Sequence, residues 1–446
     1  MRAREIRLTS WGHHRHADMT AYRPERLPAL RQAVRTATAD GGSIAYGNGR
    51  NYGDLAMRDG GTALLTRRLD RIIEFDAYTG ATTLEAGVTF SELHEFAIQR
   101  GFLPPVTPGT AFVTIGGGVA SDVHGKNHDL CGTLGAHIDW IDIVVANGEC
   151  VRASQTEHPE LFAATVGGCG LTGVIAVVRL RLRRQRANAV ETREFRVRDL
   201  DHFFELMAEH RDKATYTVGW VDALQRGRKL GRGIFQTGEP VLSDLTGPRH
   251  GGPTVPFTFP ARTLNRHSVS LFNEAYFRRV PAPGRHRVID YDTFHHPLDA
   301  ISHWNRLYGR GGFYQFQCVI PDENGIDGVR ALLEQVATVG AASFLAVLKT
   351  FGAEGFGHLS FPRPGVTLSL DLPARPETRE LMHRLEFTTR DSGGRIYLAK
   401  DATMSAEGFA EMYPRLERFR SVLAEYDPTG RFESDMSRRL KIRTVP

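Results

Sequence analysis

Two lysines lie within runs of apolar residues, where a water-soluble chain seldom places an ammonium group. Lys400 ends the segment RIYLAK, and Lys349 lies inside FLAVLKTFG. A lysine removed from water loses its proton more readily, so either side chain could accept a proton or hold an anion as a point charge. Each pattern is also typical of a lysine at the solvent-exposed end or edge of a strand, since lysines are almost never buried unpaired. Both interpretations stay open on these residues alone.

A glycine-dense stretch, residues 108–128, reads PGTAFVTIGGGVASDVHGKNH. Residues without a Cβ are needed where backbone adopts unusual dihedrals or lies flat against a ligand, so this stretch predicts a cofactor bed. His124 lies within it, beside Lys126 and Asn127, and is therefore a candidate for contact with cofactor or substrate. A glycine-rich turn between two strands is the alternative, because glycine alone is a weak signal.

Two further glycine-dense loops are residues 46–56 (YGNGRNYGDLA) and 165–173 (TVGGCGLTG). Successive amides in the first loop could bind an anion, and Arg50 among them suits a phosphate. A Rossmann site would need G-x-G-x-x-G between a strand and a helix, with an acidic residue further on, and no such unit is evident. The loops therefore predict one long dinucleotide that is held by several loops.

These segments resemble the flavin-binding segments of the vanillyl-alcohol-oxidase-type family of FAD enzymes. More narrowly, the chain is similar to the decaprenylphosphoryl-ribose oxidase family in segments that run in order from Trp11 to Leu440: WGHH, HGKNH, HHPLDAISHWNRLYG, FYQFQCVIP, FLAVLKTFG, GGRIYLAKD and SDMSRRL. The resemblance implies FAD-dependent oxidation of the 2′-hydroxyl of a polyprenylphosphoryl ribose to the keto sugar, the first half of epimerisation to an arabinose donor for cell walls. It further implies a lipid-linked sugar phosphate as substrate, an NAD-dependent reductase as partner and a quinone or other electron acceptor.

The resemblance also assigns roles to individual residues. It implies Lys400 and His124 as the catalytic residues. The residues that it implies for flavin binding are Gly47, Gly49, Arg50, Asn51, Tyr52, Gly53, Gly109, Thr110, Gly116, Gly117, Ser121, Gly125, Asn127, Gly173 and Tyr397. The residues that it implies for substrate binding are Tyr52, Lys126, Trp220, Gln317, Lys349 and Ser369. No metal ligand is among them.

Some positions depart from the family pattern. The family's cysteine near the substrate falls at Ser369, a nearby asparagine at Thr367 and a pocket tyrosine at His295. These departures leave hydride transfer possible and bear on which sugar and lipid are accepted. Where covalent members of the wider family carry a flavin-linking histidine, this chain has Asn51 and Tyr52, which predicts a non-covalent flavin.

The elements that must position these residues predict an α+β, two-domain FAD-binding fold of the vanillyl-alcohol-oxidase type. The expected divisions are an FAD-binding domain at 1–187, a substrate domain at 188–394 and a return to the FAD-binding domain at 395–446. In the substrate domain the order β-α-β-β-α-β predicts a split βαβ sheet, with strands at 343–351 and, last, at 395–400. The segment 238–287 is predicted as long loops over the site, and Pro414 is predicted in the first turn of a final helix.

Length and composition are typical of a globular protein with two cores. The chain has 446 residues and a net charge of +5, too small to argue for nucleic acid. Its four cysteines lack C-x-x-C spacing and predict neither a zinc site nor a disulfide framework. No signal peptide or membrane span is recognisable, which predicts a cytoplasmic or peripherally membrane-associated protein. The arginine-rich run 179–186 could touch an anionic membrane, although such a run more often forms a solvated strand edge.

Two other functions fit the same residues. One is an oxygen-using sugar or aldonolactone oxidase with a soluble substrate, which peroxide formation with free sugars would distinguish. The other is a flavin-binding partner protein without catalysis. Lys400 and Lys349 in apolar strands speak against that second alternative.

Overall fold

A computed structural model describes residues 3–37, 42–245, 252–260, 262–341 and 344–443. The strands, in chain order, are β1 (Arg4–Thr9), β2 (His16–Tyr22), β3 (Ser43–Tyr46), β4 (Thr62–Leu65), β5 (Ile72–Phe75), β6 (Ala81–Glu85), β7 (Phe102–Leu103), β8 (Ile138–Val144), β9 (Cys150–Ser154), β10 (Val174–Arg181), β11 (Arg183–Arg184), β12 (Ala189–Val197), β13 (Tyr216–Val221), β14 (Gly233–Val241), β15 (Arg285–Asp290), β16 (Phe313–Ile320), β17 (Ala346–Phe351), β18 (Gly365–Pro373) and β19 (Arg395–Ile396). The helices are α1 (Leu27–Thr36), α2 (Phe90–Ile98), α3 (Ile115–Ala120), α4 (His128–Cys131), α5 (Pro159–Thr165), α6 (Leu200–His210), α7 (Arg266–Arg278), α8 (Tyr291–His295), α9 (Gly325–Val339), α10 (Pro376–Asp391), α11 (Ala406–Met412), α12 (Leu416–Tyr426) and α13 (Asp435–Arg439).

The first part of the chain forms two main sheets and a small pair of strands, β7 and β11. One has the order β1-β2-β4-β3 and the other the order β5-β6-β10-β8-β9. The apolar face of α1, with Leu30 and Val34, packs against Leu64 of β4 and Val144 of β8 in one buried cluster. This packing joins the two sheets. The glycine-dense loop 46–56 begins at the end of β3, and the loop 165–173 leads into β10.

The second part forms an eight-stranded sheet with the order β15-β12-β14-β13-β17-β18-β16-β19. Its last four strands, with α9 and α10, confirm the predicted β-α-β-β-α-β order and the α+β class. Helices α6, α9 and α10 pack on this sheet through apolar stripes such as Leu332, Leu333 and Val336 of α9. The site residues of β16, β17 and β18 alternate with the apolar residues of these strands, so they lie on the other face. The proposed boundaries at 187 and 394 stay a prediction.

Three sequence predictions are wrong in detail. The segment 238–287 contains the end of β14, the thirteen-residue helix α7 and the start of β15 rather than long loops. The last strand stops at Ile396, because the amides of Lys400 and Asp401 turn back to the carbonyl of Tyr397. Pro414 precedes α12 instead of lying in its first turn. Within the predicted strand 343–351, position 343 lies outside the described residues, as do 246–251 and 261 of the misassigned segment.

The arginine-rich run 179–186 forms solvent-facing strand positions rather than an unpaired cationic patch, because Arg179, Arg181 and Arg184 have partners within the protein. Arg179 pairs with Glu74 at 2.7 Å, and Arg181 pairs with Asp139 at 2.7 Å. Arg184 donates to two backbone carbonyls in the turn before β6. Among the described residues, no helix combines the length and the apolar character that crossing a bilayer requires.

The C-terminal segment, residues 397–443, returns to the first two sheets. The amide of Ser43 donates to the carbonyl of Arg431 at 2.7 Å, and Phe432 is fully buried beside α1. Arg439 binds Asp54 at 2.8 Å and Asp401 at 2.8 Å. The loop after β3 is therefore held between the start and the end of the chain.

Candidate active site

Polar side chains gather on one face of the large sheet. Register places Gln317 opposite Ser369 and Gln315 opposite Asp371, while Lys349 lies opposite Thr367. Successive side chains of a strand point to opposite faces, so these alternate positions of three adjacent strands all face the same way. The face that they form lies towards the glycine-dense stretch 108–128, because Lys349 Nζ donates to the carbonyl of Gly125 at 2.8 Å.

Lys349 and His124 are in direct contact. Lys349 Nζ lies 3.0 Å from His124 Nδ1, and Gln317 Nε2 lies 3.2 Å from His124 Nε2. Burial lowers the pKa of Lys349 to about 7. Burial, reinforced by the charge of Lys349, holds the pKa of His124 well below its usual value, so the imidazole is neutral. Lys349 is buried, with 9% of its surface exposed, so the edge-strand interpretation of this lysine is wrong.

Lys126 adds a second, partly buried amine. Its Nζ donates to the carbonyl of Phe294 and lies 4.2 Å from the centre of that ring. Burial, followed by repulsion from Lys349, lowers the pKa of Lys126 to about 7. His295, the departure from the family's tyrosine, is buried nearby, and burial together with the charge of Lys126 keeps its pKa well below the usual value. The pocket thus concentrates groups that a bound anion would stabilise in their charged form.

Lys400 lies on the aromatic face of Tyr52, with Nζ 4.0 Å from the ring centre. Burial lowers the pKa of Lys400 to about 8, and the charge of Asp371 limits the fall. Asp371 is 1% exposed, and burial raises its pKa to about 7. The solvated-strand interpretation of Lys400 is therefore wrong: its amine exchanges protons near neutral pH beside an acid of similar pKa.

Sequence reasoning missed the carboxyl group of Asp371 and its partners. Gln315 Nε2 donates to Asp371 Oδ1 at 2.5 Å, and the hydroxyl of Tyr308 lies 3.4 Å from Oδ2. The signal was present in GVTLSLDLP, where Thr367, Ser369 and Asp371 occupy every second position of one strand. An acid on the same strand face as Ser369 was therefore a site candidate by periodicity alone.

Glycines in the loop after β3 lie where loops cross. A Cβ on Gly47 would be 2.5 Å from Thr114 Oγ1, and one on Gly53 would be 1.9 Å from the carbonyl oxygen of Asp401. Gly49 has φ +61°, which favours glycine, and its Cβ would be 2.1 Å from the hydroxyl of Tyr46. These glycines allow the loop to lie against both the stretch 108–128 and the C-terminal segment.

Arg50 supplies a charge to this loop. Its guanidinium lies between the rings of Trp11 and Phe112, at 4.3 and 5.0 Å. Its Nε is buried, and among the described residues it has no hydrogen-bond partner. Asn48 donates to the carbonyl of Phe112 at 2.8 Å and ties the loop to the glycine-dense stretch. A partly buried guanidinium whose Nε donor is buried and unused suits a phosphate group.

Other residues predicted for the site have protein partners in the structure. Thr110 donates to Asp299 at 2.9 Å, Asn127 donates to the carbonyl of Pro105 at 2.8 Å, and Tyr397 donates to the carbonyl of Ser121 at 2.9 Å. These contacts hold the stretch 108–128, the predicted cofactor bed, in place. The remaining positions lie in the loop 46–56 or in the stretch 108–128, and they are Asn51, Gly109, Gly116, Gly117 and Gly125.

Two predicted residues lie at the margins. Gly173 precedes β10, where its Cβ would be 2.7 Å from the carbonyl oxygen of Val144, so strand packing accounts for that glycine. Trp220 pairs in register with Val347, and its Nε1 donates to the carbonyl of Phe344 at 2.8 Å. That position places Trp220 one strand beyond Lys349, towards α7.

Comparison with known proteins agrees with this arrangement. A family model for the FAD binding domain matches residues 21–154, and one for D-arabinono-1,4-lactone oxidase matches residues 367–440, which include Ser369 and Lys400. Together with the fold and the polar sheet face, these matches define an FAD-dependent oxidoreductase that acts on a CH–OH group. The flavin loops and the buried Arg50 donor fit this cofactor.

Similarity over the full length of the chain identifies its family within this class of oxidoreductases. The chain is 35% identical to a decaprenylphosphoryl-β-D-ribose oxidase of Mycolicibacterium smegmatis over 98% of this chain and 97% of that protein. It belongs to the decaprenylphosphoryl-β-D-ribose oxidase family. More distant relatives include an alditol oxidase of a Streptomyces species, 26% identical over 97% of this chain and 98% of that protein, and the L-gulonolactone oxidase of Bos taurus, 25% identical over 36% of each.

Proposed function

We propose that this enzyme oxidises the 2′-hydroxyl of a polyprenylphosphoryl ribose to the 2′-keto sugar. The observation that carries the proposal is that Lys126, Lys349 and Lys400 lie close enough for Lys349 to interact electrostatically with both other amines, with Asp371 as the acid beside Lys400. Burial lowers the pKa of all three amines. A phosphate that enters with the substrate would favour the charged forms of Lys126 and Lys349, whereas a neutral alditol or lactone would not, and the neutral amine of Lys400 is left to act as a base.

Proton transfer is assigned to Lys400 and Asp371. The chemistry that FAD supplies when bound is acceptance of the carbinol hydrogen as hydride. The hydroxyl proton passes to the neutral form of Lys400, whose pKa near 8 suits a general base at neutral pH. Asp371 stabilises the ammonium group that results.

Phosphate recognition and sugar orientation are assigned to the other end of the pocket. Lys349 and Lys126 bind the phosphate, while Gln317 and His124 hold the ribose through hydrogen bonds. Flavin contacts are assigned to the glycine-dense loops and to Arg50. Ser369, Thr367 and His295 replace the family's cysteine, asparagine and tyrosine, and they are proposed to adjust the fit of the sugar without touching the transferred hydrogen.

The keto product requires a second enzyme. Epimerisation returns a hydride to the opposite face of the same carbon, so an NAD-dependent reductase is proposed to take the product. A quinone or another acceptor is proposed to reoxidise the flavin. The division into an FAD-binding domain (1–187), a substrate domain (188–394) and a C-terminal return (395–446) is proposed to place the flavin between the two cores.

Anaerobic flavin reduction tests the substrate. Protein with bound FAD is mixed without oxygen with farnesylphosphoryl ribose, and loss of the oxidised-flavin absorbance is expected. Ribose, xylitol and an aldonolactone serve as phosphate-free controls and are expected to react far more slowly. Equal bleaching by the controls would favour a soluble-sugar oxidase, and a flavin that no sugar reduces would favour a binding protein.

A further inference from the structure

We propose that helix α7 and the basic cavity at its C-terminal end dock this enzyme on an anionic phospholipid bilayer. The docking surface, called here the α7 surface, consists of Leu271 and Phe272 together with the residues that line the cavity. The inference rests on the proposed function, because a polyprenyl-linked substrate has its tail in a membrane.

The outer side of α7 carries large apolar residues. Val269 and Asn273 form its buried side, whereas Leu271 is 75% exposed and Phe272 is 46% exposed. Single exposed apolar residues are ordinary, but neighbouring ones on the solvent side of a helix are typical of an interaction site. An amphipathic helix with such residues can insert them at the boundary of headgroups and acyl chains.

A basic cavity of about 570 Å³ lies beside the C-terminal end of α7. Its lining residues are Arg196, Arg198, Lys229, Arg232, Glu274, Phe277 and Arg278. Glu274 pairs with Arg232 and Arg278, Asp222 pairs with Arg232, and Asp199 lies 3.9 Å from Arg198. Five positive charges thus have three carboxylates beside them, and a net positive charge remains. Arg196 Nε is buried and, among the described residues, has no hydrogen-bond partner. Such a cavity suits lipid phosphate groups.

The apolar and basic parts of the α7 surface face the same way. Arg278 follows Leu271 by seven residues, or two helical turns, so both side chains lie on one face about 10 Å apart along the axis. Leu271 and Arg278 can therefore contact one plane, as docking on a flat bilayer requires.

The α7 surface is continuous with the proposed substrate pocket. Phe272 contacts the ring of Phe344 at 5.3 Å, and Phe344 contacts Tyr308 at 6.3 Å. Tyr308 reaches Asp371, and the carbonyl of Phe344 accepts from Trp220 at 2.8 Å. A chain of ring contacts thus joins the sheet face to the exposed helix.

Vesicle cosedimentation tests the proposal on the full chain with FAD bound. The vesicles contain phosphatidylcholine alone or phosphatidylcholine with phosphatidylglycerol, and binding to the anionic ones is expected. The double variant Leu271→Ser with Phe272→Ser is expected to partition roughly tenfold or more weakly, since each side chain loses an apolar contact. The triple variant Arg198→Gln, Lys229→Gln and Arg278→Gln is expected to lose about fivefold per charge, and the loss is expected to shrink in high salt.

Matched controls remove the same chemistry elsewhere. Phe387→Ser takes away a 66% exposed aromatic residue on α10, and the triple variant Arg181→Gln, Arg184→Gln and Arg186→Gln takes away three exposed charges from the strand run. Both controls are expected to bind anionic vesicles like the unaltered protein. Equal losses in the controls, equal binding to neutral vesicles, or no vesicle binding at all would overturn the proposal. Vesicle binding blocked by free inorganic phosphate but insensitive to the Leu271 and Phe272 changes would also overturn it, since it would identify a phosphate site alone.

A soluble substrate separates this inference from the proposed function. All α7 variants are expected to reduce their flavin with farnesylphosphoryl ribose at the unaltered rate, and to slow only when a long-chain substrate is presented in vesicles. Failure of the unaltered protein with the soluble substrate would refute the proposed function. Normal turnover there with unchanged vesicle kinetics in the variants would refute the docking surface alone.

Discussion

Lys400 illustrates how one side chain gains reactivity from its surroundings. The same amine in water would be fully charged at neutral pH, but burial lowers its pKa to about 8. The ring of Tyr52 retains the charged form by a cation–π contact, and Asp371 does so through its charge. The amine can therefore gain and lose a proton without leaving its position.

Substitution of Lys400 tests this role. Lys400→Met keeps the volume of the side chain and removes the base, so FAD is expected to remain bound while anaerobic flavin reduction slows about a hundredfold to ten-thousandfold. Stopped-flow absorbance measures the rate, and the spectrum of the bound flavin reports an intact site. Near-normal reduction in this variant would return Lys400 to a structural role.

The paired lysines make anion binding dependent on pH. The amines of Lys349 and Lys126 have folded-state pKa values near 7, below the ordinary value of 10.5, so each is charged below about pH 7 and neutral above it. Affinity for farnesyl phosphate is therefore expected to fall as pH rises from 7 to 9, by up to about tenfold per pH unit for each proton that binding must restore. Calorimetry with the bound-FAD enzyme measures it.

Substitution of Lys349 removes one of the two titrating amines. Lys349→Met is expected to bind farnesyl phosphate more weakly at pH 6 and to show a shallower fall at higher pH. Farnesol, which lacks the phosphate, serves as the pH-independent control. Affinity that rises with pH, or an unchanged slope in the variant, would contradict phosphate binding by Lys349.

At the scale of residues, the sequence was enough to find the amines of Lys349 and Lys400 but not the carboxyl group of Asp371. Lys349 and Lys400 stand out because charge is rare in apolar runs, and their desolvation follows from the neighbours that the sequence already places around them. Asp371 was overlooked because its role depends on Gln315 and Tyr308, which come from another strand and a distant loop. Pairings of that kind are set by sheet register, which a single sequence does not specify.

Elements were predictable where one apolar face dominates. The strand Gly365–Pro373 alternates polar with apolar residues, and the helix Leu200–His210 buries Leu200, Phe203, Leu206 and Met207 on one side. Helix α7 was missed because its solvent side carries Leu271 and Phe272, which blur the polar face on which amphipathic periodicity depends. The two residues that obscure the helical pattern, Leu271 and Phe272, are also the apolar residues of the α7 surface.

Arg439 forms the buried ion pairs that hold the last helix, α13, against the first part of the chain. Arg439 bonds to both Asp54 and Asp401, whose side chains are 6% and 2% exposed. Arg439→Met leaves two buried carboxylates without their cation, so the free energy of unfolding is expected to fall by about 3 kcal/mol. Urea denaturation measures the loss.

Its neighbour provides the control. Arg438 is 56% exposed and lies 4.0 Å from Glu433, so Arg438→Met is expected to change the free energy of unfolding by less than about 1 kcal/mol. Similar losses in both variants would mean that α13 is stabilised by its apolar contacts rather than by the ion pairs.

The whole molecule is expected to hold its flavin without a covalent bond. Asn51 and Tyr52 offer no imidazole at the position where covalent relatives carry one, so unfolding should release every flavin. Acid precipitation is expected to leave FAD in the supernatant, measured by fluorescence before and after phosphodiesterase cleavage. Flavin that sediments with the protein would contradict the prediction.

The return of residues 397–443 to the first sheets has a consequence for biosynthesis. Ser43 bonds to Arg431, and Asp54 bonds to Arg439. The partners of the loop after β3 are therefore synthesised almost four hundred residues after it. A nascent chain that ends before Arg431 carries the flavin loops but lacks the segment that clamps them. Cofactor capture is therefore expected to follow translation, and ribosome-stalled fragments are expected to stay colourless until the C-terminal segment emerges.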